Sequence, residues 1–117
     1  MAVHKVGESK PVATRVRVAD GFWLRARGLL GHGPLEPGEG MLLGPCRAIH
    51  TVGMRSPIDV AFLDEENVIV ATYHRLRPNR RTAWHGRAAW ALELAPGTLE
   101  ETGTGTGQQL RWEEHTI

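Results

Sequence analysis

Apolar and polar positions alternate with period two over much of the chain. Val12, Thr14, Val16 and Val18 fall on one side of an extended segment, and Ala13, Arg15 and Arg17 on the other. That is the pattern of a half-buried strand rich in β-branched residues. Met41–Leu43 begins another strand, interrupted at Gly44–Pro45. Residues 58–63 (IDVAFL) and 68–73 (VIVATY) are apolar runs separated by the polar residues 64–67, which predicts a hairpin. In 90–94 (WALEL), Trp90, Leu92 and Leu94 oppose Ala91 and Glu93, and residues 108–113 supply a final strand. The period changes over 22–30, where Phe22, Trp23, Ala26, Leu29 and Leu30 recur at spacings of three and four. This predicts a short helix, capped by Asp20 and stopped by Gly31. Residues 96–102 predict one or two more helical turns behind Pro96.

The Gly- and Pro-rich stretch 31–40, the basic stretch up to Arg87 and the GTGTG run at 103–107 read as loops. Residues 1–11 are polar, end in Pro11, and read as a flexible N-terminal arm. The expectation is a mainly β protein with six or seven short strands and one or two short helices. It would form a compact barrel-like or sandwich single domain over 12–117.

Composition narrows the function classes. A length of 117 residues suits one domain, and 41% hydrophobic with 23% charged residues excludes a disordered tail and a membrane protein. No signal peptide follows the early lysines, so a soluble cytoplasmic protein with no membrane partner is expected. Cys46 is the sole cysteine, which excludes an internal disulfide and a multi-cysteine zinc cage. The formal net charge of +1 hides a segregation: residues 73–90 carry five Arg and no acid, and 91–117 carry one Arg and five acids.

The densest chemistry lies in 45–59, PCRAIHTVGMRSPID. Cys46, His50 and Asp59 supply a nucleophile, a base and an orienting group, and Arg47 or Arg55 would depress the thiol pKa. On a straight strand Cys46 and His50 stand about 13 Å apart, too far for a direct pair. The favoured reading of the same residues is structural: a small buried thiol, a core histidine and a turn-forming aspartate. Arg55 and Asp59, four apart around Pro57, are expected to form an ion pair that locks a corner, with anion binding by Arg55 as the alternative. Cys46, His50, His74 and His85 show no paired zinc-type spacing, so neither metal nor cofactor is expected.

The order of residues resembles domain-of-unknown-function family 192. The resemblance rests on Ala19, Arg25–Leu30, Gly40–Leu42, the long block Cys46–Asp64, Leu76–Pro78 and Leu92–Thr98, and it spans about Val12 to Leu110. It implies a small, mainly β, barrel-like fold with short helices, and it implies no particular activity. The chain departs from the family pattern at GTGTGQQL, where a tighter turn is usual.

A non-enzymatic small-ligand or partner-binding domain is therefore expected, its polar, basic pocket formed by Arg27, Arg47, His50, Arg55 and Glu93. Charged groups inside apolar strands are costly unless paired or used. The first alternative is a thiol-dependent enzyme using Cys46, His50 and Asp59. The second is single-stranded nucleic-acid binding through the Arg- and Trp-rich stretch 73–90. Nucleic acid is the disfavoured partner, because the whole chain is close to neutral.

Overall fold

The computed structural model describes residues 1–20 and 34–114. Its elements are β1 (Ala2–Lys5), β2 (Pro11–Ala13), β3 (Arg15–Asp20), β4 (Glu39–Gly44), β5 (Ile58–Leu63), β6 (Ile69–Leu76), β7 (Trp90–Leu94), the short helix α1 (Thr98–Glu101) and β8 (Leu110–Glu113). They build a three-stranded sheet, β2-β1-β8, and a five-stranded sheet, β3-β4-β7-β5-β6. The fold is mainly β, as the alternation predicts, and two packed sheets make it sandwich-like. The helix expected over 22–30, with Arg27 and the Gly31 stop, lies outside the described residues.

Two expectations need correction. The loose arm is in part a strand: β1 lies between β2 and β8, and Ala2–Lys5 are all buried. Its polarity misled because the polar ends find partners. Lys5 Nζ donates to the carbonyls of Thr102 (2.6 Å) and Gly103 (3.2 Å), just past the end of the helix Thr98–Glu101. The strand expected from Val12 to Val18 is two strands. The amides of Thr14 and Arg15 both donate to Gly38 O, at 3.0 and 2.8 Å, which breaks the run. β2 then joins the small sheet and β3 the large one.

The large sheet is mixed. β3 and β4 are parallel, which requires a crossover connection and not a tight turn between them. β7 lies between β4 and β5 and is antiparallel to both. β4 and β5 therefore run the same way, and residues 45–57 must travel the length of the sheet to connect them. By the same logic residues 77–89 travel back from β6 to β7. The expected hairpin is present, with Asp64 Oδ1 accepting from the amides of Glu66 and Val68 across its turn.

Both faces of the large sheet are covered. One packs on the small sheet through Val3, Val12, Val16, Leu42, Leu63, Leu92, Leu94 and Leu110. The other gathers Met41, Leu43, Ile58, Val60, Phe62 and Ala91, with Cys46, Ile49, Met54 and Ala88 of the two long connections packed onto it. Those connections are a third layer. This is why Glu93, which alternation turns away from Leu92 and Leu94, is nonetheless buried.

Candidate functional site

Strand register places Glu93 at the middle of the covered face. Arg17 pairs with Met41, Met41 with Glu93, Glu93 with Val60 and Val60 with Tyr73. Glu93 thus sits on the central strand between Met41 and Val60. It is 5% exposed, and its Oε2 has no hydrogen-bond partner among the described residues. Burial alone pushes the carboxyl from its ordinary 4.5 to about 8. Near neutral pH it is largely protonated, able to donate one hydrogen bond and accept others. A buried acid with a partnerless oxygen costs stability, and such groups concentrate at functional sites.

The layer above is zipped along its length. Cys46 N donates to Ala89 O (3.0 Å), His85 N to Arg47 O (2.8 Å), Thr82 N to Ile49 O (3.0 Å) and Thr51 N to Arg80 O (2.8 Å). Thr51, fully buried, is its knot: Oγ1 donates to Arg77 O (2.6 Å) and accepts from Arg80 N (2.9 Å). An aromatic cluster fastens the layer to the sheet. Tyr73 Oη and His85 Nε2 are 2.8 Å apart, and the Phe62 ring lies against the imidazole at a tilt of 41°, centroids 4.7 Å apart. The sequence gives little warning of this cluster, because Tyr73 and His85 meet only through a fold-back between β6 and the loop after it.

The residues expected to share a pocket separate into two groups. Glu93 is interior, whereas Arg47, His50 and Arg55 are exposed on the connection 45–57. Arg27 lies outside the described residues. Nor do Cys46, His50 and Asp59 form a triad. Asp59 alternates with Ile58 and Val60, so it points to the opposite face of the sheet from Cys46. There it is fully buried, accepting from the amides of Arg75 (2.8 Å) and Leu99 (2.9 Å). Cys46 Sγ donates to Ala48 O at 3.2 Å, and His50 Nδ1 accepts from Val52 N at 3.3 Å.

The expected Arg55–Asp59 ion pair is also absent among the described residues, because Asp59 is already engaged. It sits opposite a bulge: pairing passes from Ile58↔Leu76 to Val60↔Tyr73, leaving His74 and Arg75 against one residue. Arg75 takes a φ of 50° there, and Asp59 satisfies its amide. The other bond holds the start of α1, where Gly97 makes no side-chain cap. Among the described residues no group of three or more His, Cys, Asp or Glu side chains converges as metal ligands. No helix among them is long and apolar enough to cross a membrane.

Comparison with known proteins agrees with the fold. The chain is 30% identical over 120 residues to a UPF0127 protein of Thermococcus sibiricus, covering 97% of this chain and 75% of that protein. The structure is similar to a protein of unknown function from Novosphingobium aromaticivorans, with a TM-score of 0.81 at 20% identity. That match covers 95% of this chain and 84% of the other. A solved structure from Sinorhizobium meliloti gives a TM-score of 0.70 at 24% identity, over 82% of this chain and 79% of its own. The model of the DUF192 family, described as an uncharacterized ACR, matches residues 2–112. The chain belongs to the DUF192 family.

Proposed function

We propose that the chain is a non-enzymatic binding domain, cytoplasmic, whose small ligand or partner group engages Glu93 beneath the connections 45–57 and 77–89. The observation that carries this reading is the orphaned Oε2 of a carboxyl that is 5% exposed on the central strand. A ligand group offering a hydrogen-bond acceptor would take the acid's proton as a hydrogen bond, and a cationic group would draw it into the ionised form. Arg47, His50 and Arg55, exposed on the covering connection, would meet a charged part of the ligand that protrudes.

A thermal-shift screen of small carboxylates, amines and amides tests this on the native chain and on Glu93→Gln and Glu93→Leu. A ligand at a hundred times its Kd adds about 2.7 kcal/mol to stability. The reading expects at least one compound class to raise the melting temperature of the native chain, to act less on Glu93→Gln and not at all on Glu93→Leu. Equal responses in all three proteins would refute it.

A further inference from the structure

The outer surface of the third layer has a character the inner one lacks. Residues 45–57 and 77–89 contain six Arg and neither Asp nor Glu. Arg47, Arg55, Arg77, Arg80, Arg81 and Arg87 are all exposed. None forms an ion pair among the described residues, whereas Arg75, just outside the layer, is held 3.0 Å from Glu100. The rest of the chain carries 8 basic and 13 acidic side chains, so the near-neutral total conceals a strongly positive surface on an acidic body. The zipper makes this one surface rather than two loops: Arg81 is bridged to His50 and the Arg80 carbonyl to Thr51.

Trp84 lies on this surface, 71% exposed, three residues from Arg81 and three from Arg87. The other large aromatics of the basic stretch are engaged elsewhere. Trp90 packs on the core between the sheets, and Tyr73 is bonded to His85. An indole left in water between unpaired guanidinium groups is a stacking platform with phosphate-binding groups on either side.

We propose that the outer surface of the two connections binds single-stranded nucleic acid, with Trp84 stacking on a base and the flanking arginines contacting phosphates. An unpaired strand is favoured over a duplex because only unstacked bases offer a face to an indole. It is favoured over a lipid surface because the surface exposes six Arg but only Val52 and Trp84 as large apolar groups. The proposal is independent of Glu93, which lies beneath the layer.

Fluorescence anisotropy of a labelled oligo-dT tests it, using a strand longer than the roughly 4–16 nucleotides a small β domain occupies. Trp84→Ala and the double variant Arg81→Ala/Arg87→Ala are compared with the native chain, with thermal melts confirming that all three fold. Binding by the native chain should weaken steeply with salt, by about 0.7 log units per log unit of salt for each phosphate neutralised. Trp84→Ala should raise Kd roughly five- to 150-fold with the salt slope kept, the range of one lost base stack. The double variant should flatten the slope by about 1.4, the share of two phosphates. No anisotropy change at ~50 mM salt, a low-salt condition for such complexes, would overturn the proposal. So would binding indifferent to Trp84→Ala, equal binding to duplex DNA, or binding to phosphatidylserine vesicles alone.

Discussion

Glu93 and Asp59 are neighbouring acids with opposite fates, and the difference is hydrogen bonding. Asp59 is fully buried yet gives each oxygen a backbone amide, so it braces the bulge and the start of α1. Asp59→Ala should cost about 2–4 kcal/mol in urea unfolding, because two amides lose their acceptor. Glu93 Oε2 has no partner among the described residues, and burial pushes the carboxyl of the folded chain up from an ordinary 4.5 to about 8. Between those values the folded chain holds a proton that the unfolded chain has released, so stability falls as pH rises through this window. Above about 8 both states are ionised and the loss is complete, on the order of 5 kcal/mol from this group. Glu93→Gln should flatten the fall between pH 5 and 8, as read by denaturant midpoints. A native and a variant profile of equal slope would contradict the assignment. Cys46, 5% exposed and donating to Ala48 O, should react slowly with iodoacetamide when folded and rapidly in denaturant.

Elements fit together through a few close approaches. Gly44 follows Leu43 on β4 as Trp90 precedes Ala91 on β7, so the register sets them opposite one another. The Trp90 ring occupies the space where a side chain on residue 44 would begin. Gly44→Ala should therefore lower stability by about 1–3 kcal/mol or more, measured by thermal melting. Three strands of the large sheet, β5, β6 and β7, were legible because their period and turn residues agree: 58–63 with 68–73 around Asp64–Asn67, and the alternation in 90–94. β1 was not legible. Its register with β8 depends on partners over a hundred residues away, and its buried lysine finds acceptors only after α1 has formed. Lys5→Ala should separate these elements, loosening β1 and the end of α1 together in hydrogen exchange. Of the expected site, the burial of Glu93 could not be read from its own strand. Alternation gives the side chain's direction, but the cover over that side comes from two crossovers whose course depends on strand order.

At the scale of the molecule, three layers divide the work. The small sheet and one face of the large sheet make a dry core, while the other face carries Glu93 under a zipped layer whose outside is arginine-rich. A binding role for the inner face depends on one physical condition: a carboxyl held without a full set of partners in an apolar setting. Carbon-detected NMR of the Glu93 side-chain carboxyl, followed from pH 4 to pH 9, examines that condition directly. A protonated signal at neutral pH and a midpoint near 8 are expected. A midpoint near the ordinary 4.5 would mean that the carboxyl is solvated or fully paired, and would remove the basis for a site on this face.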